Sequence, residues 1–594
     1  MAGRLCFKFI AMVQSENLLD ILAFNQKREA ETSSFSYSVN INFLRNFTIE
    51  GIEPFLKNYL YKSDIRPDIV FGNFNNIQQE IFDNDSHIYS ANPEIIVVAV
   101  CLENLLPDKS SFGWKSDETI AEIKNYINLL LKKTNALIAI TTLATPFFSE
   151  IGITNIHENN GLIFETEKLN QRIREYVTDN PSRCLVLDVD RMVNILGYDA
   201  SMDRRFWYSS SAPYKKELLA LIASELTRVV RALKGLSKKC LVLDCDNTLW
   251  GGIIGEDGIN GLKLDNISSP GKIFYDFQKT ILALFERGVI LCLCSKNNED
   301  DIWTVLDYHP HSLIKRSHIS AYRINWNDKA TNIQEIANEL NLGLDSFVYI
   351  DDSPIECGLV KDMLPEVTVL QVPLKLYELP SILFKDGWFD TLQLTAEDKA
   401  RTRMYKEESL RKTEKLKYID IDEYLSSLDI HIEINEARET EIARIAQLTQ
   451  KTNQFNFTTK RYSEKEITDF CKSKNHKVFQ VKVGDKYGEM GISGVVILQR
   501  NIDKGIVDTF LMSCRVLGRK VEFAFIDYCF VKTENDWKVK TWEAYYFPTQ
   551  KNQQIAEYWT HMGFEITYTE NGNKTYSLKV KNRTKQNLQF IKRI

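Results

Sequence analysis

No run of eighteen apolar residues occurs anywhere in the sequence, which speaks against a membrane-spanning helix. The eleven cysteines include no CxxC pair and no Cys/His zinc spacing, the nearest two being Cys292 and Cys294 in an apolar run. Reduced thiols are therefore expected in place of a disulfide framework or a zinc site. Positive charge is not in excess. A formal net charge of −6 argues against a general nucleic-acid binder, and the locally basic end "KVKNRTKQNLQFIKRI" reads as a solvated tail. The opening "MAGRLCFKFIAMVQSENLLD" breaks its short apolar run at Gln14, Ser15 and Glu16, too soon for an export signal, so a cytoplasmic location is expected. Low-complexity tracts and repeats are lacking as well. What remains, 44% hydrophobic and 26% charged residues over 594 positions, suits about three or four ordinary globular domains.

Three β-rich apolar runs, 94 to 100, 136 to 143 and 184 to 190, alternate with helix-like segments such as 117 to 133 and 165 to 178, which predicts a parallel sheet between helices. The segment 214 to 234 has helical apolar spacing and stops at Gly235, a C-cap signal and a domain boundary. From 240 the predicted order is again α/β: strands 240 to 246, 289 to 294, 318 to 324, 346 to 350 and 367 to 372, with helices 270 to 287, 299 to 307, 329 to 341 and 355 to 363 between them. The charge-dense stretch 397 to 417 reads as an exposed connecting helix. Beyond 429 the predicted order is a helix at 437 to 451, three strands, a helix at 515 to 532, a strand at 538 to 546, a helix at 549 to 562 and a hairpin, an α+β pattern.

The stretch "KKCLVLDCDNTLWGG" runs a buried strand into Asp244 and Asp246. Ionised carboxylates are costly to dehydrate without a cation or strong hydrogen bonds, so the pair signals a metal or a reaction. Ligands of open α/β sheets sit at the carboxyl ends of the strands, where the later elements deliver Ser295, Lys329, Asp351 and Asp352. Hard carboxylate oxygens suit Mg²⁺, with Asp244, Asp246, Asp351 and Asp352 as candidate ligands. In such a set Asp244 serves as nucleophile toward phosphorus, Asp246 moves the proton, and Ser295 and Lys329 hold phosphoryl oxygens.

"DCDNTLW" with a second-strand Ser, a later Lys and a terminal Asp pair resembles the haloacid dehalogenase (HAD) superfamily, mostly Mg²⁺-dependent phosphotransferases. The longer stretches "LVLDCDNTLWGGIIGEDG", "CSKNN", "RINWNDKATNIQEIANELNLGLDSFVYIDDSPIE", "LTQKTNQFNFTTKRY" and "FLMSCRVLGRKVE" look like the FkbH-like family. The resemblance implies a multidomain α/β chain: an SGNH-hydrolase-like domain at 1–235, expected to be non-hydrolytic, a HAD-type Rossmann-like parallel-sheet domain at 236–395, a helical linker at 396–428, a GNAT-like α+β domain at 429–582 and a basic tail at 583–594. It also implies the reaction. Family members take the three-carbon unit of 1,3-bisphosphoglycerate as an enzyme thioester, remove its phosphate and pass the glyceryl group to an acyl carrier protein. Neither nucleic acid nor membrane is an expected partner.

Residues implied at the site by the same resemblance are Thr248 in catalysis, and Trp250, Gly251, Gly252, Lys296, Asn297, Asn453 and Arg461 in substrate contacts. The thioester needs a thiol. Cys245 is the first candidate, provided that the strand ends at Asp244 and the chain turns at Asn247, with Cys294 and Cys514 behind it; regular strand alternation would instead point Cys245 away. "CRVLGRKVE" resembles the GNAT pyrophosphate turn through Arg515, Gly518 and Arg519, which implies binding of an acyl-carrier arm or a coenzyme A-like group; Lys520 stands where that turn has a small residue. In the first domain Arg45 and Asn46 occupy the place of the SGNH nucleophile, which favours docking or structure over hydrolysis. Two other readings stand beside the bifunctional one: a plain Mg²⁺-dependent phosphatase of a small phosphorylated metabolite, and a GNAT-type acyltransferase whose aspartates are only a metal scaffold.

Overall fold

A computed structural model describes residues 17–31, 35–90, 92–106, 113–156, 159–181, 183–393, 407, 411, 414, 418, 420–549, 551–584, 588 and 590–594. The chain divides into two compact units, one formed by the part up to Lys234 with Asp390–Gln393, the other by Gly235–Phe389 with the remainder. Among the described residues no helix is long and apolar enough to cross a membrane.

The first unit is built on a five-stranded, all-parallel sheet of β1 (Tyr37–Arg45), β2 (Ile65–Phe71), β3 (Ile95–Ala99), β4 (Leu137–Thr141) and β5 (Cys184–Leu187), ordered β2-β1-β3-β4-β5. Helices α1 (Ser116–Lys133), α2 (Gly161–Thr178) and α3 (Lys216–Leu233) lie where helical spacing predicts them. The sequence reading misses the first two strands. In β1, Val39, Ile41 and Phe43 are wholly buried but alternate with Ser38, Asn40 and Asn42, and asparagine has low strand preference. The wholly buried Asn42 donates to Ile88 O at 2.6 Å, while its Oδ1 has no hydrogen-bond partner. β2 carries Pro67, tolerable because it is an edge strand.

The second unit contains two sheets. The first holds β6 (Cys240–Leu243), β7 (Ile290–Ser295), β8 (Ile319–Ile324), β9 (Phe347–Asp351) and β10 (Thr368–Gln371), all parallel and ordered β10-β9-β6-β7-β8. Helices α4 (Gly271–Glu286), α5 (Glu299–Tyr308), α6 (Lys329–Leu340) and α7 (Pro354–Met363) connect the strands. Side-chain alternation separates two apolar layers. Leu241, Leu243 and Cys245 pack with Trp250, Phe274 and Phe277, while Cys240, Val242, Cys292 and Cys294 pack with Ile333 and Ile336.

The other sheet has eight strands, β11 (His431–Glu436), β12 (His476–Asp485), β13 (Gly488–Asn501), β14 (Lys504–Met512), β15 (Thr541–Tyr546), β16 (Glu565–Glu570), β17 (Asn573–Lys579) and β18 (Lys592–Arg593), in the order β16-β17-β15-β14-β13-β12-β11-β18. It is mixed, with β14 and β15 parallel over Lys504–Val507 and Thr541–Ala544 only. Beyond that pairing, residues 455 to 457 insert between the two strands: Phe457 N donates to Phe510 O (3.3 Å), Met512 N to Phe455 O (3.0 Å) and Phe547 N to Phe457 O (2.8 Å). The longest described helices here are α8 (Ile442–Lys451) and α9 (Val521–Trp537). α9 starts later than the 515 expected from sequence because Gly518 and Lys520 both take positive φ. The predicted helix at 549 to 562 is instead two short turns, Gln553–Ile555 and Tyr558–His561; Tyr558 and Trp559 bury their rings, and Asn552 bonds the loop backbone at Thr549 and Phe547. The basic end is not wholly solvated, since Lys592 and Arg593 pair with His431 and Ile432. Most of the predicted connecting helix, 397 to 417, lies outside the described residues; Arg411 within it is buried and bonds both oxygens of Asp485 at 2.6 and 2.7 Å.

One buried group in this sheet domain carries a stability prediction. Glu522, in the first turn of α9, is buried with Oε2 lacking a hydrogen-bond partner, and burial pushes its carboxyl up to about 7 from an ordinary 4.5. A raised carboxyl favours the fold while protonated; that contribution is complete below about pH 4.5 and is lost as pH rises through about 7. Glu522→Gln is expected to match the parent in urea denaturation at about pH 4 and to exceed it by up to about 3 kcal/mol at about pH 8. Equal differences at both pH values would show that Glu522 stays ionised in the fold.

Candidate active site

β6 lies between β9 and β7, so the residues following Leu243 emerge beside Asp351 and the end of β7. Asp244 N donates to Ile350 O (3.0 Å), which fixes the backbone there. Asp328 caps α6 by accepting from Thr331 N (2.7 Å), placing Lys329 at the first helical position. From there Lys329 Nζ reaches Asp244 Oδ1 at 2.7 Å and also pairs with Asp351 Oδ2. All three are buried, at 5%, 4% and 0% exposure for Asp244, Lys329 and Asp351. Tyr349 also donates to Asp351, and Ser353 N donates to its other oxygen (2.7 Å).

Burial pushes Asp244 up to about 7, against the pull of Lys329 and with the help of Asp351; Lys329, held by both carboxylates, is raised above its ordinary value despite burial. Burial and then Asp351 raise Asp352 as well. Carboxylate oxygens of Asp244, Asp351 and Asp352 lie within 4.8 Å of one another, a hard oxygen set that fits one Mg²⁺ in which the metal would relieve the mutual repulsion of the acids.

Asp246 departs from the expectation that it is a fourth ligand. Its oxygens accept from Trp250 Nε1 (2.9 Å), Ile254 N (3.1 Å) and Asn297 Nδ2 (3.0 Å), which holds it out of the three-aspartate group. Asn297 also donates to Ser295 Oγ (3.2 Å), so Asp246, Asn297 and Ser295 form one chain beside the aspartates. Lys296 pairs with Glu356 at 2.7 Å, and Thr248 is buried with no hydrogen-bond partner for its hydroxyl.

Three expected substrate contacts are structural. Trp250 is wholly buried and spends its N–H on Asp246. Gly251 pairs with Lys263, and a Cβ there would meet Phe274 at 2.8 Å; at Gly252, with φ +104, a Cβ would lie 2.6 Å from Asp257. The turn at Asn247 does occur, with φ +52, yet it does not free the thiol. Cys245 keeps the parity of Leu241 and Leu243, is wholly buried in their apolar layer beside Ser295, and is raised well above an ordinary thiol by burial and by Asp244. Cys294 is equally buried and is likewise raised by burial. Cys514 is only half-buried.

Asn453, Arg461, Arg515, Gly518 and Arg519 belong to the mixed-sheet domain. Arg461 donates to Asn453 (2.9 Å) and Arg515 to Ser513 Oγ (3.2 Å), while Asn453 and Arg515 line a separate cleft. Arg519 is buried on Asp485 (3.4 Å) and against Met490, which corrects its assignment to an anionic ligand. In the first unit Arg45 pairs with Glu50 (2.6 Å), and Asn46 exchanges hydrogen bonds with the backbone of Cys101.

The sequence reading overlooked Tyr349 and Ser353. "SFVYIDDSP" does carry a signal for both, because Tyr349 has the strand parity of Asp351 and Ser353 precedes Pro354 at a helix start.

Comparison with known proteins agrees with this architecture. The N-terminal part of the protein BF1531 from Bacteroides fragilis, described as containing a phosphatase domain complexed with Mg, has 24% identity and a TM-score of 0.57, covering 63% of this chain and 99% of its own. The ribosomal-protein-S18-alanine N-acetyltransferase of Escherichia coli (14% identity, TM-score 0.20) and the N-acetyltransferase PseH of Campylobacter jejuni (16%, 0.19) each cover 25% of this chain, and 94% and 98% of their own. Scores that low carry no functional weight. No curated protein matches the sequence. Residues 52–231 match the model for "FkbH, N-terminal domain". The segment 52–231 is thus FkbH-like, and over 63% of its length the chain shares its fold with the Bacteroides fragilis structure.

Proposed function

We propose that the β6 site hydrolyses a phosphate ester with the aid of Mg²⁺, and that this step belongs to a glyceryl transferase and phosphatase that takes 1,3-bisphosphoglycerate and delivers the glyceryl group to an acyl carrier protein. The observation that carries the phosphatase part is the buried Lys329, bridging Asp244 and Asp351 with Asp352 in ligand range. Mg²⁺ held by Asp244, Asp351 and Asp352 would offset the negative charge that a phosphate brings to these acids. A carboxylate oxygen of Asp244 attacks phosphorus, giving an aspartyl-phosphate and releasing the alcohol oxygen. Asp246, oriented by Trp250, Ile254 and Asn297, gives that oxygen its proton and then takes one from the water that frees the phosphate. Lys329 and Ser295 stabilise the charge on the transferring phosphoryl oxygens.

Asp246→Asn keeps the side-chain shape and one oxygen to accept from Trp250 and Ile254, but it loses the bond from Asn297 and cannot shuttle a proton, so phosphate release is expected to fall about 100- to 10,000-fold without vanishing. A rate equal to the parent across pH would remove Asp246 from acid–base work.

The transferase part is supported by the motif resemblance and requires a reachable thiol. That thiol captures the C1 carbonyl of 1,3-bisphosphoglycerate with release of its acyl phosphate, and the 3-phosphate is then removed by hydrolysis before transfer. Burial of Cys245 and Cys294 favours the plain phosphatase unless Cys514 serves. Incubation with 1,3-bisphosphoglycerate and intact-mass analysis decides: the parent and Cys245→Ala are expected to carry a glyceryl or phosphoglyceryl adduct that Cys514→Ala lacks. Phosphate release with no adduct on the parent would leave a phosphatase without transferase activity.

A further inference from the structure

Two sequence stretches unused by the phosphatase site, "LTQKTNQFNFTTKRY" and "FLMSCRVLGRKVE", meet at a cleft of about 330 Å³ in the second unit. Its walls come from three places: Lys239 with residues 341–343, 345 and 346 of the parallel-sheet domain, one side of α8 from Arg444 to Lys451 with the loop after it, and the end of β14 through Arg515 with Lys551. Asn341 donates to Cys514 O (3.1 Å), and Lys551 pairs with Asp345, which joins the walls. In a chain with a formal net charge of −6, this cleft is lined by five half-buried cations, Lys239, Arg444, Lys451, Arg515 and Lys551, against the single carboxylate of Asp345. Cations of one sign around a partly desolvated cleft concentrate anions, and arginine offers paired donors that match phosphate oxygens. The volume is at the small end for ligand sites, and such sites favour domain junctions. Cys514 stands in the wall.

We propose that this cleft is a binding site for a phosphate-bearing ligand that reaches Cys514, separate from the aspartate site. Either a free phosphorylated metabolite or the phosphopantetheine arm of a carrier presents that chemistry; only the choice of the arm as a probe rests on the transferase reading above. The full chain would be titrated calorimetrically, without Mg²⁺, with inorganic pyrophosphate and with 4′-phosphopantetheine, while alkylation of Cys514 by iodoacetamide is followed by peptide mass spectrometry. At least one probe is expected to bind and to slow alkylation of Cys514 several-fold; protection by both assigns phosphate recognition in general, protection by phosphopantetheine alone assigns the arm. Arg444→Gln with Lys451→Gln should weaken binding at least about tenfold and remove the protection. Arg515→Gln, on another wall, provides the same reading if the double variant is poorly folded. Asp244→Asn should bind as the parent does, and loss of binding there would move the ligand to the phosphatase site. Unchanged affinity in the cleft variants, or Cys514 alkylation indifferent to both probes, overturns the proposal.

Discussion

Asp244→Asn protein is expected to release phosphate about 10,000-fold or more slowly than the parent, the scale on which loss of a catalytic nucleophile is felt. The amide cannot attack phosphorus and contributes less charge to a metal. The fold should survive, because Lys329 keeps its partner Asp351, and Asp351 keeps the donors Tyr349 and Ser353. The check is phosphate release under single-turnover conditions, with circular dichroism to establish folding. Full release by a folded Asp244→Asn protein would end the aspartyl-phosphate mechanism.

Lys329→Ala is expected to damage both chemistry and stability. The sequence alone suggests an intact fold with slower phosphoryl transfer; burial of the ammonium between two buried carboxylates changes that expectation. Removing one partner of a buried charged group strands the others, a loss of about 3–5 kcal/mol. Mg²⁺ binds only the folded arrangement, so millimolar Mg²⁺ should recover part of the loss. Urea midpoints of Lys329→Ala with and without Mg²⁺ provide the measurement. Identical midpoints in the two conditions would mean that Asp244, Asp351 and Asp352 do not form a metal site.

The amino-acid sequence by itself determined the alternation of strands and helices around Asp244, because apolar runs and caps are local and periodic: α6 and α7 begin within one residue of their expected starts. It also determined that polar residues would gather at the strand ends, since the right-handed parallel connections of such a sheet return every strand to the same edge. Strand parity even contained the fate of Cys245, whose side chain follows Leu241 and Leu243 into the apolar layer although the chain turns at Asn247. Only the tertiary structure decided the partners. That Lys329 spans Asp244 and Asp351, 85 and 22 residues away, that Asn297 serves Asp246, and that Arg519 is spent on Asp485 are long-range pairings on which periodicity is silent. The same holds for residues 455 to 457, a loop by composition, whose backbone donors and acceptors were satisfied by the gap that β14 and β15 leave between them. A side chain's neighbours along the chain set its direction, but what it meets there depends on which distant elements pack against it, and that is where ligand, cap and core residue part company.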